Sequence, residues 1–554
     1  MNATRRDYDV VVLGGGLAGM TAGLQLKRER PSMRVAVVEK RTHPVPEAAF
    51  KVGESVAEIG AHYLKESVAL KDHMESDQLR KMSLRIFSPA NGNTDISRRP
   101  EIGLHKFSPL RTYQIDRGRL ENHIADVLDD AGVDLIDGHS ASGFELGPDR
   151  HEVTIKNGGA SRELSGRWLI DATGRTGLLR RGLRLGTEIE HDVSAAWFRI
   201  DHWLRVDDWS DDPAWQARVP SRTRWMSTNQ LIGEGYWIWL IPLASGAMSI
   251  GIVADENFVP FERIRRYDVL LDWLRENEPQ LAAMLPNEEA GLLDFRKVKN
   301  YAYGTRRGLS PQRWCLTGEA GLFLDPLYST GVDFIAVANT LATRLICDAF
   351  DGQPEERRRL KAYNAYYLGQ FLGWAPAFAG QYQVFRDAQA TAAKIIWDNA
   401  QYFMFPVLLF TKGCITDHAL LAEVREPLQK AYQMNLYMQR CFRELCLEEC
   451  DLRSAGFPVG SDPGVEDLFS TVLTEMSREE VLERVDANVR RLQSLGSELV
   501  SRLYEACGRT PPPLDYDPPP AESDIDLLAW VPYEQRTAAP ATVPPQPDES
   551  WMIR

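Results

Sequence analysis

Residues Tyr8–Gly23 read YDVVVLGGGLAGMTAG. An apolar, β-branched run over Tyr8–Leu13 meets three glycines and passes directly into a helical pattern over Leu17–Arg30. Gly14, Gly16 and Gly19 carry the GxGxxG spacing. The first glycine permits a tight turn, the second lets a pyrophosphate approach the backbone, and the third lets helix and strand pack closely. The helix start, with Leu17 and Ala18, offers unpaired N–H groups to a phosphate. A second β-rich run, Arg34–Glu39, ends in Glu39, whose carboxylate suits a ribose hydroxyl, with Lys40 beside it. This strand–turn–helix–strand unit predicts a Rossmann-like dinucleotide site.

Working outward, the chain has 554 residues, 44% hydrophobic and 26% charged, enough for a large globular enzyme with an appended lobe. Its net charge of −14 argues against a nucleic-acid partner, because such binding relies on Lys and Arg displacing counterions. No apolar stretch reaches the ~18–20 residues of a membrane span. The N-terminal residues show no secretory pattern, so the expectation is a cytoplasmic protein. Among seven cysteines, Cys441, Cys446 and Cys450 lie close together and read as reduced thiols on a helix. No His sits in metal spacing, so no metal is expected; His191 and His202 read as structural.

Strand-like runs recur at Trp168–Ala172 and Arg313–Thr317, each leading into a glycine-containing turn. Between roughly 190 and 255 the alternation of AAWFRIDHW, GYWIWLIPL and AMSIGIVA predicts an antiparallel sheet. From Asp333 to Cys507 the pattern is mostly helical, with Ser477–Leu495 read as a solvated amphipathic helix. The last 44 residues hold 11 of 32 prolines and predict a tail, with Ile525–Pro532 a candidate docking segment. The expected fold class is α/β. A dinucleotide-binding domain spans 1–190 and 300–350, followed in function by a substrate sheet over 191–299, a helical lobe over 351–510 and a Pro-rich tail over 511–554.

Three further segments carry a resemblance. LIDATGR places Asp171, Thr173 and Gly174; WCLTGEAGLFLDPLYSTG places Gly318, Asp325 and Pro326; QIDRGR places Arg117. With the glycine loop, they resemble FAD-dependent oxygenases of the glutathione-reductase and p-hydroxybenzoate-hydroxylase type. The resemblance implies FAD, with these residues and Ser55 around it. The usual Gly-Asp at the strand end is Gly318-Glu319 here. No second GxGxxG follows, so reduced FAD is expected from a separate NAD(P)H-dependent flavin reductase.

Trp237, Trp239, Ile241 and Pro242 spell WxWxIP; Phe323, Pro326, Ser329 and Gly331 spell FxxPxxSxG; Lys51–Ser55 reads KVGES, and Lys81 follows in LRKMSLRIF. Together they resemble the flavin-dependent halogenases over about residues 8–350. The resemblance implies that reduced FAD and oxygen generate an oxidant, which a chloride or bromide ion beside the flavin converts to hypohalous acid. Thr330 and Gly331 would bind the halide through backbone N–H groups, with Val332 against the flavin. Lys81 would steer the oxidant, as an ammonium or as a haloamine, with Arg80 and Arg85 weaker alternatives. In one continuous strand Lys81, Ser83 and Arg85 would share a face.

One departure bears on substrate. Tryptophan halogenases carry Glu in the PLES turn, where this chain has Tyr328. A phenol of pKa ~10 is a poor base near neutrality. The expected acceptor is therefore a small or acyl-carrier-bound ring, such as a phenol or pyrrole, or a polyene, rather than free tryptophan. Aromatics of the 370–412 segment either line its chamber or form ordinary core. An FAD-dependent hydroxylase and a non-catalytic flavoprotein partner are the rival readings.

Overall fold

The computed structural model describes residues 6–47, 52–353, 357–446, 450–457 and 464–519. Strand β1 (Arg6–Leu13) turns at Gly14 into helix α1 (Leu17–Glu29) and returns as β2 (Val35–Val38). β1 pairs in parallel with β2 on one side and with Ala160–Asp171 on the other; Asp134–Ile136 and Trp314–Leu316 extend the sheet outward in parallel. This is the Rossmann-like layer the glycine loop predicted. Gly14 has φ +105, and a Cβ there would overlap the Ala172 carbonyl. A Cβ on Gly19 would overlap the Gly14 carbonyl, so strand and helix touch backbone to backbone.

A second, seven-stranded sheet covers the site. Val193–Ile200, Met248–Asp255, Tyr236–Pro242 and Thr228–Gly233 pair antiparallel in that order, and Leu84–Phe87 joins Thr228–Gly233 in parallel. The strand period sorts its residues: Trp237, Trp239 and Ile241 join the main core, whereas Ile238 and Leu240 pack into a separate outer core with Tyr267 and Leu270.

The C-terminal lobe is helical, as its sequence predicted. The helix at its far end differs from expectation. Arg478–Ala506 is packed rather than solvated: Val481, Val485, Leu492, Leu499 and Leu503 are buried, and it lies against Arg425–Leu445. Its charges, buried Arg491 apart, occupy the remaining face. That packing also corrects the reading of Cys450 as a reduced thiol. Cys450 is bonded to Cys507, 57 residues away, while Cys441 and Cys446 are free. Pairing of this kind follows tertiary approach and is invisible in local spacing. The candidate docking segment Ile525–Pro532 lies outside the described residues. Among the described residues no helix is long and apolar enough to cross a membrane.

Thiol titration in denaturant without reductant should give five reactive cysteines, rising to seven after reduction. Seven without reductant would mean the Cys450–Cys507 bond does not form.

Candidate functional site

The chemistry-bearing segments converge where the two sheets meet. Lys81 ends the short strand Leu79–Lys81, which pairs with Thr112–Gln114. The strand is interrupted at Met82 and Ser83 before Leu84–Phe87, so Lys81 and Arg85 do not share a face as a continuous strand would impose. Arg85 is buried in an ion pair with Glu101, and Arg80 lies over the Phe107 ring and donates to the Ser108 carbonyl. Neither is placed as an alternative to Lys81.

Lys81 is 5% exposed and its Nζ donates to Ser55 Oγ at 3.1 Å. Ser329 Oγ also donates to Ser55, at 2.9 Å, and Ser55 lies 2.7 Å from Thr228 Oγ1. A hydroxyl has two lone pairs and one hydrogen. With both lone pairs taken, Ser55 donates to Thr228, which donates to Gln114 Oε1 at 3.0 Å. The Ser55 hydroxyl, expected at the cofactor, is therefore committed to the protein, as a clasp on Lys81.

Lys81 lines a cavity of about 130 Å³ together with Glu58, Thr330, Tyr328, Trp374 and Tyr402. Thr330 is the N-cap of the helix Gly331–Phe350, and its Oγ1 is buried without a hydrogen-bond partner. A Cβ on Gly331 would meet nothing within 4 Å. Open space thus faces the positive end of a 20-residue helix, the environment an anion prefers. Val332 is 3% exposed, and a Cβ on Gly60 would lie 2.9 Å from it. Its side chain packs on helix α2 (Glu58–His62).

The electrostatics follow from burial. Desolvation pushes Lys81 down to about 8, opposed by the charges of Glu58 and Asp333. Desolvation pushes Asp333 up to about 7, although Tyr402 and the Gly60 amide donate to it at 2.7 and 2.8 Å. Glu58 is likewise pushed up by desolvation, with Lys81 the first opposing influence. Tyr328 is pushed well above the ordinary phenol range by burial and by Asp398, to which it donates at 2.6 Å. The phenol in place of the PLES glutamate is no base here.

The remaining expected residues mostly stabilise the scaffold. Glu39 accepts from the Gly15 and Arg41 amides at 2.7 and 3.0 Å, which places its carboxylate against the glycine loop, and Lys40 is exposed. Gly16 caps α1, with Leu17 and Ala18 in its first turn. Asp171 accepts from Thr173 and from the Leu179 amide at 2.6 Å, so its carboxylate fixes its own turn. Arg117 donates to the Val52 carbonyl at 2.7 Å and to Glu121. Gly318, at φ +55, brings its turn against Ala18. Asp325 accepts from His191 at 2.8 Å, from Tyr301 at 3.3 Å and from Tyr382. Trp237 Nε1 donates to Tyr382 at 2.7 Å, and Gln230 donates to the Leu327 carbonyl at 2.6 Å. The WxWxIP strand and its neighbour Thr228–Gly233 together lock the turn after Asp325-Pro326, and His191 is part of that lock; His202 is exposed beside Asp201. Trp239 donates to Ser249 and covers Gly251. The glycine-loop helix start and the open space at Gly331 fit FAD.

The tryptophan halogenase profile matches residues 54–371, more than half the chain, and an NAD(P)-binding Rossmann-like profile matches residues 12–75. The chain belongs to the tryptophan halogenase family. Flavin-dependent halogenases of this family use FAD and a halide. The flavin-dependent halogenase chlA of Dictyostelium discoideum is 25% identical over 64% of this chain, and the chain spans 63% of that protein's length. A 1H-pyrrole-2-carbonyl-[peptidyl-carrier protein] chlorinase of Pseudomonas fluorescens is 24% identical over 66% of this chain and 82% of its own. The crystal structure of halogenase PltM, 18% identical, covers 90% of this chain and 97% of its own at a TM-score of 0.60; that likeness speaks to the fold.

Local reading missed Glu58, Asp333 and the Ser55–Thr228–Gln114 chain, whereas Tyr402 stands among the aromatics of the 370–412 segment. The one available signal was an acid set in each otherwise apolar helix start, Glu58 in α2 and Asp333 beside Gly331.

With Lys81 at about 8, the ammonium makes up about nine-tenths of the population at pH 7. Halogenation steered by that ammonium should fall as pH rises through 8 while flavin oxidation continues. A rate that instead rises through 8 would assign the work to the neutral amine. The same depression means burial of the charge costs about 3 kcal/mol of stability below pH 8, relieved between 8 and 10.5. Lys81→Met should therefore raise Tm at pH 7 and lose that advantage near pH 10.

Proposed function

We propose that this protein is a flavin-dependent halogenase acting on an electron-rich phenol, pyrrole, polyene or carrier-tethered natural-product substrate. The observation that carries this reading is that buried Lys81 shares one cavity with Thr330, the cap of the Gly331–Phe350 helix. In this reading Gly14–Gly19 and Glu39, with the backbone at Pro326 and Val332, would hold FAD, and the 1–190 and 300–350 segments would form its domain. Bound reduced FAD, with oxygen and chloride or bromide, supplies hypohalous acid. A separate NAD(P)H-dependent reductase provides the reduced flavin, in the cytoplasm.

The residues of this chain then restrain the oxidant. The amides at Thr330 and Gly331 hold the halide without presenting a strong nucleophile to it. The Lys81 ammonium, aimed by Ser55, hydrogen-bonds the hypohalous oxygen and makes its halogen more electrophilic. The apolar walls of Ile86, Ile102, Trp374 and Phe403 exclude water and seat an aromatic ring. The carrier-linked pyrrole of the Pseudomonas fluorescens relative and the phloroglucinol bound by PltM are the two substrate classes to test first.

Lys81→Ala should lower halogenated product by at least roughly 10²-fold while oxygen uptake with reduced FAD persists. Mass spectrometry with bromide checks it. A gain of oxygen without bromine in the wild-type product would replace this reading with a hydroxylase.

A further inference from the structure

Among the described residues that line the cavity, Glu58 is the only carboxylate and Lys81 the only ammonium. The function proposed above leaves Glu58 unused. It opens α2 three residues beyond the Ser55 clasp, so the segment that aims Lys81 also carries Glu58. The other nearby acid is committed elsewhere: Asp333 receives the Gly60 amide and the Tyr402 hydroxyl, and it is not part of the cavity wall. Tyr328, also on the wall, has its hydroxyl hydrogen on Asp398. A substrate hydroxyl or ring N–H that enters this chamber thus meets one carboxyl group, that of Glu58, on the same wall as Lys81. Burial of Glu58 strengthens its hold on a proton, as an acceptor requires.

We propose that Glu58 is a catalytic residue that accepts the O–H or N–H proton of the aromatic substrate while Lys81 directs the halogen, so the chamber selects phenols and pyrroles over their alkylated counterparts. The proposal rests on the halogenase reading. For a phenol and HOX, the ring carbon's electron pair forms the C–X bond and the X–O bond breaks. The leaving hydroxide takes a proton from the Lys81 ammonium and becomes water. The O–H electron pair becomes the carbonyl π bond, and its proton passes to Glu58. The halogenated dienone loses its ring proton to the Lys81 amine, and its oxygen regains the proton from Glu58. Phenol and HOX give halophenol and water, and both side chains return to their starting states. This arrangement supplies, from a different position, the acid that the Tyr328 turn lacks.

The test uses the FAD-loaded enzyme with phloroglucinol and 1,3,5-trimethoxybenzene, which differ in the donor hydrogens. In equilibrium binding followed by tryptophan fluorescence, wild type should prefer phloroglucinol at least roughly tenfold, and Glu58→Ala should lose that preference; comparing the variants cancels the size difference of the ligands. With bromide and reduced flavin, Glu58→Gln should lower brominated phloroglucinol roughly 10²-fold. Hypobromous acid trapped in bulk by monochlorodimedone should rise correspondingly at unchanged oxygen uptake. Phloroglucinol bromination by Glu58→Gln within about threefold of wild type would overturn the proposal, as would a preference retained by Glu58→Ala. The isosteric Gln variant keeps the kinetic arm decisive if Ala fails to fold. Wild type that brominates neither phloroglucinol nor monochlorodimedone would defeat the halogenase reading instead, and the binding preference would still decide whether Glu58 recognises the donor.

Discussion

Everything at this site depends on one saturated hydroxyl. Ser55 accepts from Lys81 and from Ser329 and donates to Thr228, which passes its hydrogen to Gln114. A buried ammonium without a partner would lose its proton or drag water into the core. A mobile ammonium would be useless for steering an oxidant. Ser55 addresses both problems, because each of its bonds has a fixed direction and comes from a different part of the chain: the Lys81 strand, the turn before the long helix, and the second sheet. The Glu54–Arg199 ion pair beside it ties the same segment to that sheet. Moving any of these pieces would re-aim the ammonium.

The turn at Ser329 shows how local strain serves this arrangement. Ser329 has φ +62, a left-handed conformation that costs a non-glycine residue about 1 kcal/mol. A glycine would adopt it freely but would carry no hydroxyl to Ser55. The strained turn also delivers Thr330 to the start of the helix with its hydroxyl unpartnered inside the cavity. The surroundings over-determine the geometry: Asp325 is held by His191, Tyr301 and Tyr382, and Leu327 by Gln230. This gives the WxWxIP strand a physical role. Trp237 reaches the turn through Tyr382, so its indole acts as a brace for the site.

What was legible in the sequence was what is written locally. The glycine loop needs residues without Cβ atoms at fixed spacing, and the structure places Gly14 and Gly19 in backbone contact. The alternation of AAWFRIDHW, GYWIWLIPL and AMSIGIVA announced the antiparallel sheet, and the structure turns Trp237, Trp239 and Ile241 to the main core. Lys81 and Thr330 were found through motifs, and they meet in one cavity. What was hidden depends on distant partners. Asp325 stands in a cofactor motif, and its carboxylate also closes hydrogen bonds to the distant His191, Tyr301 and Tyr382. Cys450 finds Cys507 only because two long helices pack. The charges of Arg478–Ala506 masked a stripe of valines and leucines that is buried.

Two opposite charges on one apolar wall also explain why a halogenase chamber of this shape tolerates the burial cost of each. Glu58 and Lys81 lower one another's penalty, since each is the first opposing influence on the other's shift. The pair is nonetheless incompletely compensated: desolvation remains the larger effect on both. The carboxylate is held closer to its proton-accepting range and the ammonium closer to its proton-releasing range than either would be in water. Aromatic halogenation needs that combination, because a proton must leave the substrate as another reaches the departing oxygen. A wall built only for stability would bury neither charge, or would close them into a tight ion pair. Here Lys81 gives its hydrogen bond to Ser55 instead, which keeps the cation directed, while Glu58 lines the same chamber.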